Sequence, residues 1–265
     1  MGDAVYLEKH KDSEHISTLV ISHPEKRNAL TPHILSKLSE MLGDRHFRET
    51  TRVLIVRGEG KTAFSAGYDI SRIKTPEKKK GKETSVGALV KALSDIKNFP
   101  SPVISMINGF CVGAGCHLAA VTDIRIASED LRIGMTPTKL GIIYHPDGIS
   151  DFFNLIGPAN TKELFLTGRL YPAKDALKMG LINRVAPKGR LKQTVCALAG
   201  RIAENAPLSL KGIKKIVNRR MEAVALKSEA YAEINKLIDI AAGGYDINEG
   251  RRAFAEKRKP VFLGR

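Results

Sequence analysis

An α/β fold is predicted by three features of this 265-residue sequence. Short β-branched runs alternate with amphipathic stretches over the first two-thirds of the chain. Small residues stand where two of those runs would pass into helices, and past about residue 188 only helical periodicity remains. The expected division is an α/β core over 1–188 and a helical region over 189–265 that serves packing and oligomerisation.

Taken in order, ISTLVIS (16–22) and RVLIVRG (52–58) are strand-like. Between them, TPHILSKLSEML predicts a helix with Thr31 as N-cap and Pro32 at its first position. VGALVKALSDI (86–96) has helical spacing of apolar residues, PVISMI (102–107) is a strand, and Gly113-Ala114-Gly115 opens a helix before the strand DIRIAS (123–128). Helices follow over 191–205, 208–221 and 227–242, separated at Pro207 and near Ala223. A short helix at 248–257 precedes RKPVFLGR.

A composition 43% hydrophobic and 27% charged is that of a soluble globular protein, and no apolar run nears the ~18 residues of a membrane helix. The N-terminus is polar and mixed in charge, and Tyr6 stands where myristoylation needs Ser or Thr, so a cytoplasmic location is expected without membrane attachment. Cys111, Cys116 and Cys196 form no CxxC; reduced thiols are expected and no metal site. The net charge of +15 attracts polyanions, among them nucleic acid and phosphate-bearing ligands. KTPEKKKGKE (74–83) reads as a solvated basic loop. Lys211, Lys214, Lys215 and Arg219 share a helix face that is either solvated or turned to phosphates. The basic loop lacks aromatic residues to stack bases, so nucleic acid is not expected as the main partner.

Two segments bring small residues to strand ends: AFSAGYDI (63–70) and GFCVGAGCHL (109–118). Bare backbone lets a ligand reach main-chain N–H groups, and a helix N-terminus adds partial positive charge. Two N–H groups converging on one oxygen make an oxyanion hole, where a single donor is worth roughly 3 kcal/mol. Close helix packing is the other reading of Gly113-Ala114-Gly115. The spacing is not GxGxxG, which argues against a dinucleotide site.

These two segments stand in register with HPEKRNAL (23–30), PVISMINGFCVGAGCHLAAVTDIRIAS (102–128), LGI (140–142), LTGRLYPAKDALKMGLINRV (166–185) and EGRRAFAEKRKPVF (249–262). With them the sequence resembles the enoyl-CoA hydratase/isomerase, or crotonase, superfamily over nearly its whole length. The resemblance implies a spiral of ββα units with a C-terminal helical region, and assembly as a homotrimer or dimer of trimers. It implies an acyl-CoA substrate, with coenzyme A as part of the thioester and no permanently bound cofactor. The N–H groups of Tyr68 and Ala114 would form the oxyanion hole. Lys26, Asn28, Ala29, Ala66, Asp69 and Ile70 would lie along the coenzyme A moiety, and Lys257 with the basic loop would meet its phosphates.

The sequence departs from the two-glutamate pattern of the family's hydratases. His117 stands at the first glutamate position, and Pro137 or Thr138 at the second. His117 could serve as acid or base, or be a half-buried helix residue bonded to a neighbour. MTPTKLGIIYHPDGI (135–149) is similar to the methylmalonyl-CoA decarboxylase branch, in which a tyrosine at the place of Tyr144 contacts the substrate carboxylate. That branch has histidine at the place of Tyr68, glycine at Ala114 and glutamate at His117. The expected reaction is decarboxylation of a 2-carboxyacyl-CoA such as methylmalonyl-CoA, with Tyr144 orienting the carboxylate and His117, His145 or water returning a proton. Loop packing is the other reading of Tyr144, and a turn residue ahead of a helix that of Asp147. Rival functions are hydration or isomerisation by His117 with Asp147, and non-catalytic binding of a CoA thioester or RNA.

Overall fold

Two sheets carry the chain in the computed structural model, which describes residues 2–10, 13–69, 85–222 and 228–264. Ile70, the basic run 74–83 and the helix break near Ala223 lie outside the described residues. The larger sheet is formed by β1 (Ala4–Lys9), β2 (Ile16–Ser22), β3 (Val53–Gly58), β5 (Val103–Ile107), β7 (Ile124–Ser128) and β10 (Arg184–Ala186), in that order. All its pairs are parallel except β1 with β2. The smaller sheet is β4 (Ala63–Ser65), β6 (Phe110–Val112), β8 (Arg132–Gly134) and β9 (Tyr171–Pro172). The chain places β3, β5 and β7 in the large sheet and the strand after each, β4, β6 and β8, in the small one. A helix follows: α3 (Ser85–Lys97), α4 (Ala114–Ala120), and α5 (Pro146–Thr167) after a 3-10 turn at Pro137–Leu140. This is a spiral of ββα units.

Central parallel strands are covered on both faces and read as continuous apolar runs. All five residues of β5 are buried. One face packs on α1 (Pro32–Gly43) and α3 through Leu35, Leu38, Leu93 and Phe99. Thr31 caps α1, its Oγ1 accepting from the Ile34 N–H at 3.2 Å. The other face is covered by α7 (Leu191–Ala203), whose Val195, Leu198 and Ala199 meet Val53, Ile55, Ile104 and Ile126. The C-terminal helical region thus begins with a helix that completes the core.

β1 was not legible as a strand. It is an edge strand with Tyr6 and Leu7 exposed, so no clean alternation marks it. The short α2 (Arg45–Thr50), α6 (Ala173–Lys178) and β10 were missed as well, and α5 kinks at Gly157 before Pro158. Helix α8 (Pro207–Glu222) has no buried residue and exposes Leu208, Ile213, Ile216 and Val217. Lys211, Lys214, Lys215 and Arg219 on it do not act alike. Lys214 turns inward, Nζ donating to Asp123 Oδ2 at 2.7 Å and to the Ser101 carbonyl at 3.1 Å. Lys211, Lys215 and Arg219 line a surface cleft with Asn98 and Asn218. Helices α9 (Ser228–Gly243) and α10 (Tyr245–Ala255) follow, α10 lying on the Pro137–Leu140 turn. Among the described residues no helix is long and apolar enough to cross a membrane.

The start of α4 is pressed against the end of β4. A side-chain carbon on Gly115 would stand 2.6 Å from Ser65 Cβ and 2.8 Å from its carbonyl oxygen. Gly115→Ala is therefore expected to cost about 1–3 kcal/mol, read as a lower urea midpoint with unchanged slope. An unmoved midpoint would show that this contact yields freely.

Candidate active site

The site grows from the neighbouring strand ends of β4 and β6. After β4, Tyr68 forms a parallel bridge with Leu30: the Leu30 N–H donates to the Gly67 carbonyl at 2.7 Å, and the Asp69 N–H to the Leu30 carbonyl at 3.0 Å. In this geometry the Tyr68 N–H points away from Leu30. After β6, Gly113 turns the chain with φ +55°, and Ala114 is the first residue of α4. A first-turn N–H has no acceptor within its own helix. Gly67 (φ +94°) joins the two: a side-chain carbon there would lie 2.6 Å from the Val112 carbonyl oxygen and 3.3 Å from the Ala114 nitrogen. The backbone leading into Tyr68 thus adjoins the first residue of α4. The Tyr68 hydroxyl is buried and unpartnered among the described residues.

One helical turn beyond Ala114 stands His117, 4% exposed. Its Nδ1 shares a 2.8 Å hydrogen bond with Tyr144 Oη, and its Nε2 lies 3.0 Å from Asp151 Oδ2. Lys97 Nζ donates to the other Asp151 oxygen at 2.7 Å. A carboxylate only accepts, so His117 carries a hydrogen on Nε2. Burial raises the Asp151 carboxyl, but the hydrogen bonds from His117 and Lys97 outweigh it and hold the group below the usual carboxylate range. Burial pushes the Tyr144 phenol well above its ordinary value, so it keeps its proton. Phe152 and Phe165 wall this network, 5.5 Å from the His117 ring and 5.7 Å from the Tyr144 ring respectively. Burial also pushes up the thiols of Cys111 and Cys116, which removes both as nucleophiles near neutral pH.

The structure brings together most of the residues expected along coenzyme A. Lys26 Nζ pairs with Asp69 Oδ2 at 2.9 Å, and the Ala66 N–H donates to the Arg27 carbonyl at 2.9 Å. Ala29 is buried next to the Leu30 bridge. Asn28, with φ +57°, spends its side chain on the fold: Oδ1 accepts from the His23 N–H, and Nδ2 donates to the Glu59 and Ala63 carbonyls. Lys257 is exposed just past α10 with φ +54°.

His145 and Asp147 fall elsewhere than Tyr144. Both are exposed at the start of α5, 3.5 Å apart, and Asp147 accepts a hydrogen bond from Tyr231 Oη. His145 caps α5, its Nδ1 accepting from the Asp147 N–H. Pro137 is buried at the head of its 3-10 turn, and Thr138 Oγ1 donates to the Phe165 carbonyl at 3.0 Å, so the turn offers no carboxylate. Sequence reasoning missed Asp151 and Lys97. The one signal for Asp151 was its place one helical turn after Asp147. Among the described residues no cluster of His, Cys, Asp or Glu could hold a metal.

The family model for enoyl-CoA hydratase/isomerase matches residues 11–265. The chain belongs to that family. It is 31% identical over 249 residues to the short-chain-enoyl-CoA hydratase of Clostridium acetobutylicum, covering 92% of each chain. It superposes on a methylmalonyl-CoA decarboxylase complexed with 2S-carboxypropyl CoA with TM-score 0.90, at 28% identity over 98% of both chains. The match to an enoyl-CoA hydratase/carnithine racemase from Magnetospirillum magneticum has TM-score 0.76, at 29% identity, covering 100% of this chain and 97% of that one. Enzymes of this family act on acyl-CoA, and the chain is one of them.

The depressed folded-state carboxyl of Asp151 fixes a pH dependence. Its contribution to stability is present above the unfolded carboxyl value and is lost as pH falls through the folded one. Wild type and Asp151→Asn should therefore differ most in urea unfolding near neutral pH and converge below about pH 4. A gap that persists undiminished in acid would sink this account of Asp151.

Proposed function

We propose that this enzyme decarboxylates a 2-carboxyacyl-CoA such as methylmalonyl-CoA. The observation that carries the reading is Tyr144, half-buried beside α4 and tied to His117, which stands where a hydratase would carry its first glutamate. The higher TM-score to the decarboxylase than to the hydratase/racemase supports it.

Loss of CO2 needs no base. The thioester carbonyl sits between the Tyr68 and Ala114 N–H groups, and Tyr144 holds the carboxylate out of the thioester plane. The C2–carboxylate bond breaks, CO2 leaves, and its electron pair forms an enolate whose oxygen the two N–H groups stabilise. C2 then takes a proton, from Tyr144 backed by His117 or from water. Lys26, Ala66 and Asp69, which adjoin the Tyr68 segment, lie along the coenzyme A moiety. Lys257 meets its phosphates. The exposed apolar residues of α8 suit an assembly of three or six copies in the cytoplasm.

A second reading, hydration or isomerisation of an enoyl-CoA, is favoured by the His117–Asp151 pair, an acid/base dyad in reach of Tyr144. Asp147, exposed and held by Tyr231, is the weaker partner for it.

Incubation with methylmalonyl-CoA, followed by mass spectrometry, is expected to yield propionyl-CoA, and Tyr144→Phe to slow it by about 10²-fold or more. Hydration of crotonyl-CoA without conversion of methylmalonyl-CoA would replace this reading by the second. Gly67→Ala, which pushes a carbon between the Val112 carbonyl and the Ala114 nitrogen, should depress turnover of any acyl-CoA by about 10²–10³. Unchanged turnover would move the oxyanion site elsewhere.

A further inference from the structure

The His117 ring is held between a carboxylate and a phenol, and this limits the hydrogen positions open to it. Asp151 accepts from Nε2–H at 3.0 Å and is itself clamped by Lys97 at 2.7 Å, so it neither rotates away nor turns a donor to the ring. With Nε2 always protonated, two states remain. In the neutral ring Nδ1 is a lone pair, and the Tyr144 O–H must donate to it at 2.8 Å. Tyr144 then turns only lone pairs towards a ligand. In the imidazolium, Nδ1–H donates to the phenol oxygen, and the Tyr144 O–H is released to point outward.

A carboxylate repels the first state and binds the second. We propose that Asp151 is a positioning residue that makes the polarity of Tyr144 towards ligand depend on a proton at His117 Nδ1, so that an acyl-CoA with a C2 carboxylate binds with uptake of that proton. The proposal rests on the decarboxylase reading, in which Tyr144 meets the substrate carboxylate.

The surroundings of the ring support such a device. Phe152 and Tyr144 pack on its faces and edge, and both ring nitrogens are hydrogen-bonded, so rotation of the ring to exchange its nitrogens is hindered. The charged groups turned to it are Asp151 of α5 and, behind it, Lys97 of α3. Cys116, adjacent on α4, stays a neutral thiol because burial pushes it up. Beyond Lys97 and Asp151 lies a cavity of about 440 Å³ under α8, lined also by Asp123, Arg125 and Lys214. Asp123 is paired to Lys214 there, and Arg125 donates to the Thr122 and Leu181 carbonyls. The cavity gives Asp151 and Lys97 a side away from Tyr144, by which a proton can come from solvent without crossing the substrate.

Calorimetric titration tests the proposal with 2-carboxypropyl-CoA, which lacks a thioester carbonyl and so cannot form the enolate. S-propyl-CoA, without the carboxylate, is the control. Titrations above the ordinary imidazole range, at about pH 8, in buffers of different ionisation enthalpy give the protons taken up. The wild type is expected to take up close to one proton per site with the carboxylate ligand and none with the control, and its Kd for the former should rise about tenfold per pH unit. In Asp151→Asn the amide can donate to Nε2, so a neutral ring can carry its hydrogen on Nδ1; uptake should fall to near zero while binding persists. His117→Gln, whose amide can donate to Tyr144 at any pH, should also bind without uptake, and it serves where Asp151→Asn does not fold. Tight binding by the wild type without uptake would overturn the proposal and leave the decarboxylase reading standing, as would full uptake retained in Asp151→Asn. Binding of 2-carboxypropyl-CoA no tighter than S-propyl-CoA would overturn both.

Discussion

The candidate site depends on how closely two pieces of backbone approach each other. The segment after β4 and the first turn of α4 touch through Gly67 against the Val112 carbonyl and Gly115 against Ser65, at separations that leave no room for a β-carbon. A side chain at either point would drive the Tyr68 segment and α4 apart. The spiral serves this contact. By sending the strand after each large-sheet strand to the small sheet, it makes β4 and β6 neighbours, so two sequence-distant loops end at one place. The Leu30 bridge then fixes the orientation of Tyr68.

A backbone hole has no preference among thioesters; the side chains beside it supply that. Here they form a phenol–imidazole–carboxylate–ammonium sequence closed in by Phe152 and Phe165. Half-buried polar groups beside aromatic rings gain from partnering one another, and each of these four is hydrogen-bonded to its neighbour. The same logic governs Arg125, whose buried guanidinium is met by carbonyls and by the nearby charge of Asp123, and whose pKa burial pulls down to about 10.

The parts of the fold that show in the sequence are those where one physical demand dominates. Central strands such as β5 need apolar residues on both faces, and capped helices such as α1 need a Thr-Pro start, so both are legible. β1 is not, because an edge strand with half its apolar side chains exposed has no alternation to read. Around the candidate site, Tyr68, Ala114, His117 and Tyr144 were singled out from spacing and family pattern, and His117 and Tyr144 prove to be hydrogen-bonded to each other. Asp151 and Lys97 were hidden because their role arises only when α3 and α5 meet across α4, a long-range juxtaposition that no local window contains. Lys214 misled for the same reason: its helical spacing matches a solvated face, but the half-buried Asp123 draws it in.

The network also restricts which side chains position 117 can carry. A glutamate at position 117 would place a second carboxylate beside Asp151, which His117 now meets at 3.0 Å, in an enclosure where two like charges cannot both stay ionised. A glutamate at 117 would therefore fit only with Asp151 replaced, and replacing Asp151 alone strands Lys97 and His117 without their shared acceptor. Positions 97, 117, 144 and 151 are thus physically coupled through one run of hydrogen bonds, while Gly67 and Gly115 answer to backbone contacts alone.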